Sequence, residues 1–329
     1  MERNAYFDNA RAILIFLVVF GHMIQPFVAG STEIYTLYTW IYMFHMPIFI
    51  FVSGFFAKGA SDKSYLWKLV KKLLVPYLIF QVIYTGYYYM IGKSDWDVGL
   101  FYPHWSLWFL ISLFCWHILL IFYKKLRPGI GIPLSFAIGI VIGYIEPIGH
   151  TLSISRTFVF FPFFLIGYSM TEKHVQFLKK NIVKWTSVVV LAIAAVVIHL
   201  LPEIDTGWLL HSKSYAVLGV DDWYGALLRL LVYVGSIVMA AGIGAWIPEK
   251  TIKGVTYLGR RTLYVYLLHG FFIQYFRQSE LFSVEGFFDV VGLAALSAGL
   301  VYLLSSRPIR GIFQPLIEGR ANILRERLN

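Results

Sequence analysis

Three polar side chains near the start of the chain have the types and the spacing that acid–base chemistry needs. Asp8, Arg11 and His22 are separated by 3 and then 11 residues, so a helix places them on one face. At 1.5 Å per residue, His22 lies about 16 Å along this helix from Arg11. An imidazole titrates near neutral pH, takes a proton from a hydroxyl and can carry an acyl group. We expect His22 to be catalytic, with Asp8 and Arg11 assisting it.

Two further histidines, His45 and His269, lie within other apolar stretches. Measured from the nearest basic residue of the predicted inner loops, they lie about 20 Å and about 12 Å deep. We expect both to line one cavity with His22, because ionisable groups inside a membrane usually face a bundle interior or a wet cavity. A histidine that only hydrogen-bonds a neighbouring helix is the structural alternative for each of them.

A lysine cluster begins the third apolar stretch, at Lys68, Lys71 and Lys72. An α-helix would project all three from one side, where they could hold phosphates as point charges. The alternative is a topology signal beside anionic lipid. Together with Arg11, the cluster would anchor an elongated anion such as coenzyme A, whose arm would carry a thioester towards His22. Acetyl-CoA is therefore the expected donor, bound by Arg11, Lys68, Lys71 and Lys72.

The composition requires a membrane around these residues. The chain has 329 residues, of which 58% are hydrophobic and 14% charged, against about 45–50% and about 25% in soluble domains. A soluble enzyme is excluded. We predict an all-α, multi-pass protein of the plasma membrane with one domain, 1–329, and a cytoplasmic tail, 306–329. Its ten transmembrane helices are expected near 12–28, 36–57, 73–92, 105–123, 130–145, 157–171, 185–201, 223–247, 262–278 and 287–305.

The basic residues indicate the orientation. With the N-terminus inside, 23 of the 28 Lys and Arg residues fall in inner segments, as expected for cytoplasmic loops. Both termini are therefore predicted to be cytoplasmic, with residues from Gly319 to Asn329 as a helix on the membrane surface. The net charge of +10 is explained by contact with anionic lipid and requires no nucleic acid. The single cysteine, Cys115, excludes an intrachain disulfide, and we expect no metal.

The outer side is predicted to bind the acceptor. Its loops are acidic and rich in Trp and Tyr, which suits sugar hydroxyls and is also typical of a membrane interface. The acceptor candidates are Glu33, His104 and Trp105. Arg229, within the eighth stretch, either reaches outward to Asp221 or Asp222 or binds an anionic acceptor.

These motifs together resemble the acyltransferase 3 family, in particular its fucose 4-O-acetylase-like branch of polysaccharide O-acetyltransferases. The resemblance rests on Asp8-x2-Arg11-x10-His22 and on the stretch Phe44-His45-Met46-Pro47 that leads to Ser53-Gly54. Further stretches in the same order are Leu74-Val75-Pro76-Tyr77, Trp105-Ser106-Leu107-Trp108, Phe161-Pro162-Phe163-Phe164 and Leu263-Tyr264-Val265-Tyr266-Leu267-Leu268-His269. It covers essentially the whole chain.

The resemblance implies a ten-helix O-acyltransferase that uses acetyl-CoA to modify a carbohydrate or lipid-linked glycan. His22 matches the family's catalytic histidine and Arg11 its donor-associated arginine, whereas Lys68 and Lys71 stand where many relatives have arginines. Transfer is either direct or through an acyl-enzyme, and surface-polysaccharide biosynthesis proteins are the expected partners. The alternative functions are a transporter or flippase for a glycan intermediate or organic anion, and an inactive scaffold.

Overall fold

The structure is a computed structural model that describes residues 4–59, 63–96, 99–146, 151–220, 222–279 and 281–319. Within these ranges all regular secondary structure is helical, which confirms the all-α prediction. The helices are α1 Ala5–Ile24, α2 Thr32–Phe55, α3 Lys63–Leu69, α4 Val75–Met90, α5 Trp108–Tyr123, α6 Pro128–Val141, α7 Ile154–Ser169, α8 Glu172–Leu178, α9 Asn181–Leu200, α10 Gly207–Leu210, α11 Trp223–Trp246, α12 Val255–Gly259, α13 Thr262–Ser279, α14 Phe287–Leu304 and α15 Arg307–Glu318.

Several of these helices are suited to lipid rather than to water. In the described part of the chain, six helical segments are long and apolar enough to cross a bilayer. The pair α7 and α8, bent by 101°, makes a seventh if it counts as one span. Only 6% of the most apolar stretch of α9 is buried, so this helix needs an apolar solvent around it. Each of the ten predicted stretches contains a helix, while the count of ten spans and the orientation stay predictions.

The two ends of the chain differ from the predicted boundaries. The first helix begins at Ala5 rather than near residue 12, with the side chain of Asn4 accepting a hydrogen bond from the backbone N–H of Tyr6. Charged residues do not end the apolar helix early here, because Asp8 and Arg11 pair with each other. The tail contains α15, which the sequence analysis did not separate. The predicted surface helix lies, apart from Gly319, outside the described residues.

The chain divides into two compact units. The first comprises Met1–Pro26, Asp62–Phe114 and Lys250–Asn329, and the second comprises Phe27–Ser61 and Cys115–Glu249. In the first unit α1 packs against α12, α13 and α14. The approach of α12 is close, since a Cβ atom at Gly259 would lie 1.7 Å from the backbone oxygen of Asp8. Only glycine fits there.

In the second unit α2 is the central helix and packs against α7, α9 and α11. Two glycines let the backbones of α2 and α7 touch. A Cβ atom at Gly54 would lie 2.0 Å from the backbone oxygen of Phe164, and one at Gly167 would lie 2.2 Å from that of Phe51. Small residues at such contacts are how membrane helices gain close packing when lipid is as apolar as the side chains.

Candidate active site

Three aromatic rings meet in the first unit, and we call them the ring cluster: His22, Trp105 and His269. The ring centroids of His22 and Trp105 are 4.3 Å apart, those of His22 and His269 5.7 Å, and those of Trp105 and His269 5.3 Å. The three residues come from α1, from the turn before α5 and from α13. All three were singled out from the sequence, and His22 and His269 were expected to line one cavity. Trp105 was named only as an acceptor candidate, and its place beside the two histidines was not predicted.

A half-buried arginine, Arg277, fixes the end of α1 that carries His22. Nη2 of Arg277 donates hydrogen bonds to the backbone oxygen of His22 at 2.8 Å and to Oε1 of Gln25 at 2.6 Å. The last carbonyls of a helix lack partners within the helix, and a cation there also interacts favourably with the negative end of the helix dipole. The guanidinium lies 5.3 Å from the centre of the Trp105 ring as well. Arg277 therefore joins α1 and α13 at the ring cluster.

The tautomer of His269 follows from its backbone contacts. Nδ1 lies 3.0 Å from the oxygen of Val265 and 2.7 Å from that of Tyr266. A carbonyl oxygen only accepts hydrogen bonds, so Nδ1 carries the hydrogen and Nε2 carries the lone pair. Nε2 is buried and has no hydrogen-bond partner among the described residues. The site thus holds a buried acceptor oriented by its own helix.

Other buried polar atoms of the first unit also lack partners within the described residues. They include the hydroxyls of Tyr88 and Ser106 and Nε2 of Gln274. Ser106 follows Trp105 directly, and its backbone oxygen accepts a hydrogen bond from the Tyr266 hydroxyl. Burying a polar group without a hydrogen-bond partner is costly. These atoms are therefore candidates for hydrogen bonds to a bound substrate.

The backbone around the ring cluster is constrained. Trp105 has a φ of +34°, a region that side chains other than glycine rarely adopt and that often marks functional sites. On α13, a Cβ atom at Gly270 would lie 2.3 Å from the Tyr84 hydroxyl and 3.1 Å from the Trp105 ring. The hydroxyl of Tyr84 donates to the backbone oxygen of Leu267 at 2.8 Å. This packing holds the indole against the helix that carries His269.

His104, the residue before Trp105, is anchored on α4. Its Nε2 lies 2.8 Å from Oγ1 of Thr85, and its backbone N–H donates to Oε1 of Gln81 at 3.0 Å. Its ring packs edge-on against Tyr88 at 4.9 Å. Within the first unit, His104 positions the turn on which Trp105 sits.

At the other end of α1, Asp8 binds two guanidiniums. Its side chain is only 3% exposed and lies 3.4 Å from Nη1 of Arg11 and 3.1 Å from Nε of Arg260. The next residue, Asn9, donates to the backbone oxygen of Lys250 at 2.9 Å and accepts from the Thr256 hydroxyl at 2.6 Å. Asp8 and Asn9 therefore fasten α1 to the segment before α13.

The lysine cluster has a different backbone from the one expected. Residues Val70–Leu74 form a π-helical turn between α3 and α4, so the α-helical spacing used in the sequence analysis does not hold there. Lys68, Lys71 and Lys72 are exposed, and the Lys71 ammonium lies 5.3 Å from the centre of the Trp67 ring. A π-helical turn inside a helix often marks a functional segment, and phosphate binding by these lysines stays a prediction.

The remaining candidates belong to the second unit. His45 is 2% exposed, its Nδ1 donates to the backbone oxygen of Ile41 at 2.9 Å, and its ring packs against Tyr42. Glu33 lies exposed in the first turn of α2 and accepts a hydrogen bond from the Ser31 hydroxyl at 2.7 Å. Neither residue belongs to the unit that contains the ring cluster.

Arg229 is fully buried on α11. Its guanidinium lies 5.5 Å from the Trp208 ring and 5.4 Å from the Tyr215 ring, and Nη1 contacts Nδ1 of His211. Burial, followed by this guanidinium, holds the pKa of His211 well below its usual value. Among the described residues Arg229 forms no ion pair with a carboxylate. Asp222 instead caps α11, and Asp221 lies outside the described residues.

Arg277 and Arg260 belong to this arrangement but were not predicted from the sequence. Both were counted only as loop charges. A basic residue in the last turn of an apolar helix is itself a signal, and Arg277 stands eight residues after His269. Arg260 had no comparable signal, because its partner Asp8 lies 252 residues away. No group of three or more metal-ligating side chains occurs in the described part of the chain.

Known proteins match this chain over most of its length. The profile of the family Acyl_transf_3, described as an acyltransferase domain, matches residues 4–306. Nodulation protein NolL of Sinorhizobium fredii (strain NBRC 101917 / NGR234) is 27% identical, and the alignment covers 91% of this chain and 86% of that protein. Nodulation protein NolL of Mesorhizobium japonicum (strain LMG 29417 / CECT 9101 / MAFF 303099) is 27% identical, over 82% of this chain and 76% of that protein. No solved structure matches the chain.

The family match contains the whole of α1 through α14, and with them the ring cluster and the Asp8 contacts. The helices that are apolar and long enough to cross a bilayer agree with a multi-pass membrane protein. The chain belongs to the acyltransferase 3 family and is a membrane acyltransferase.

Proposed function

We propose that the protein transfers an acetyl or other short acyl group from cytoplasmic acyl-CoA to a hydroxyl of a cell-surface or lipid-linked carbohydrate. The observation that carries this proposal is the ring cluster, in which His22 stacks beside a second histidine whose Nε2 is a buried acceptor without a partner in the described structure. The proposal includes the plasma membrane as the location and surface-polysaccharide biosynthesis proteins as partners.

In the proposed reaction His22 takes the proton from the acceptor hydroxyl while the hydroxyl oxygen attacks the thioester carbonyl. The carbon–sulfur bond then breaks, the ester stays on the acceptor, and the departing thiolate takes up the proton. General-base assistance of this kind contributes roughly 100- to 10,000-fold in rate. The neighbouring lone pair on Nε2 of His269 would accept a hydrogen bond from a hydroxyl of the carbohydrate substrate and so orient that substrate. Arg277 supports His22 by fixing the last turn of α1.

A carbohydrate acceptor is supported by the surroundings of the ring cluster. Sugars present many hydroxyls that both donate and accept hydrogen bonds. The unpartnered atoms here include an acceptor on His269, a donor on Gln274 and hydroxyls on Tyr88 and Ser106. The indole of Trp105 adds an apolar face beside these polar groups.

The proposal is tested by release of free CoA from acetyl-CoA. The purified protein in nanodiscs is assayed with surface-glycan extracts as acceptors, beside the variant His22→Ala. We expect turnover that depends on the acceptor and falls at least about 100-fold in the variant, as loss of a general base predicts. A folded variant with wild-type turnover would remove His22 from the chemistry, and transport of solute without thioester cleavage would favour the transporter.

A further inference from the structure

A cavity of about 650 Å³ opens in the first unit, between residues 251–260 and residues 302–308. Its lining contains three cations, Lys253, Arg260 and Arg307, and no Asp or Glu among the described lining residues. Its volume lies in the range of roughly 300–1,000 Å³ that is typical of small-molecule sites. We call this cavity the basic pocket.

Further cations stand close to the basic pocket. Burial, then the guanidinium of Arg310 and the neighbouring Arg307 and Arg260, lower the pKa of Arg261 to about 10. Nε of Arg310 is buried and has no hydrogen-bond partner in the described structure. Two carboxylates of this region are already engaged, Asp8 by Arg260 and Glu318 by the Tyr264 hydroxyl. Positive charge is therefore in excess on this side of the unit.

Other features of the pocket lining suit a phosphorylated nucleotide. Ser306 and Arg307 line the pocket where α15 begins, and the N-terminus of a helix is its positive end. Tyr257 and Tyr302 line it too. The Arg261 guanidinium covers one face of the Tyr257 ring at 3.0 Å, so the exposed Tyr302 offers the freer ring for a base. Lys253 and Arg307 are exposed, so a ligand can reach them without unfolding the site.

We propose that the basic pocket binds phosphate groups, those of the nucleotide part of the acyl donor. Lys253 and Arg307 would bind the phosphates directly, and Arg260 would bind them while its Nε keeps Asp8. The assignment to the donor rests on the function proposed above, whereas phosphate binding itself does not. This places the nucleotide on the segments around α12 and α15 rather than on the lysine cluster before α4.

The contact between Arg260 and Asp8 gives the basic pocket a route to the chemistry. Asp8 lies on α1, whose other end carries His22. The 14 residues between them correspond to about 21 Å along the helix. An extended pantetheine arm spans a distance of this order. A donor held by its phosphates at the pocket would therefore have its thioester directed towards the ring cluster.

The test measures binding of adenosine 3′,5′-bisphosphate to the full-length protein in phosphatidylcholine nanodiscs, so no turnover is needed. We expect Lys253→Gln and Arg307→Gln each to raise the dissociation constant about tenfold, in line with the loss of one charge-assisted contact. Lys250→Gln is the matched control, since it removes the same charge from the same segment outside the pocket lining. Arg307→Lys should restore most of the affinity.

A second arm distinguishes a nucleotide from a lipid headgroup. Retention of phosphatidylglycerol is measured by native mass spectrometry for the same variants. Reduced lipid retention with unchanged nucleotide binding would support the phosphate site and assign it to lipid. Unchanged binding of both probes in folded variants would overturn the proposal, as would a loss of nucleotide affinity confined to Lys68→Gln, Lys71→Gln and Lys72→Gln.

The same assay separates this proposal from the proposed function. His22→Ala should bind adenosine 3′,5′-bisphosphate as the wild type does, because His22 lies far along α1 from the pocket. If the nucleotide binds at the pocket and acetyl-CoA is still not consumed with any acceptor, the proposed transfer from acetyl-CoA fails and the phosphate site stands.

Discussion

Replacing His269 by Asn tests whether the lone pair on Nε2 of this histidine accepts a hydrogen bond from the carbohydrate substrate. Asparagine keeps an N–H close to the position of Nδ1, which donates to the backbone oxygens of Val265 and Tyr266, but it removes Nε2. Leaving a buried acceptor unsatisfied costs roughly 1–3 kcal/mol. A substrate hydroxyl that donates to Nε2 recovers about this amount, so its loss corresponds to roughly 5- to 160-fold in kcat/KM.

The stability of His269→Asn should change much less than its activity. In the free protein Nε2 has no partner among the described residues, so its removal relieves a penalty while some ring packing with Trp105 and His22 is lost. We expect these effects to offset each other to within about 1 kcal/mol, well below the cost of a large core deletion. The unfolding midpoint of His269→Asn should therefore stay close to that of the wild type.

The assay is steady-state release of CoA at saturating acetyl-CoA with varied acceptor, together with thermal unfolding in detergent. The reverse variant His269→Gln is the control, because glutamine can offer a polar group near Nε2 but loses the short-range donor to the helix carbonyls. It should unfold earlier and keep more activity than His269→Asn. An Asn variant within threefold of wild-type kcat/KM would refute the role given to Nε2.

Two other predictions concern buried ionisable side chains. Asp8→Asn removes the charge that binds Arg11 and Arg260. Because both guanidiniums are partly exposed, the free energy of unfolding should fall by about 1–3 kcal/mol, which is less than for a fully buried pair. An unchanged unfolding midpoint would contradict this prediction. His211 has a pKa below its usual value because it is buried beside Arg229. Its unfolded form therefore gains protons first as the pH falls through about 6.5. The thermal unfolding midpoint should therefore be lower at pH 5.5 than at pH 7.5. The difference should be smaller in His211→Asn, whose asparagine tolerates the left-handed backbone at this residue. An equal difference in the two proteins would remove His211 as the cause.

The membrane class and the helical elements were available from the sequence, because hydropathy is a property of each segment by itself. An apolar helix such as α9 is apolar on all sides whatever its neighbours are. The chemistry of α1 was available for the same reason. The spacing of Asp8, Arg11 and His22 refers to one helix, whose geometry is fixed by its own hydrogen bonds.

Local backbone form was less predictable where packing bends it. The sequence around Lys68 to Lys72 is compatible with an ordinary α-helix, and its spacing gave no sign of the π-helical turn at Val70–Leu74. A π-helical turn is a small local departure whose cost is balanced by contacts with the rest of the protein. The side from which the lysines project could therefore not be read from periodicity.

The site itself was decided by the tertiary structure. His22, Trp105 and His269 could each be named from residue type and position, but their convergence depends on how α1, α13 and the turn before α5 pack. Asp8 and Arg260 pair across 252 residues of sequence. Periodicity shows which side of a helix carries the polar residues. Which two sides meet depends on the shapes of the packed side chains and on small residues such as Gly259, which let one helix touch the backbone of another.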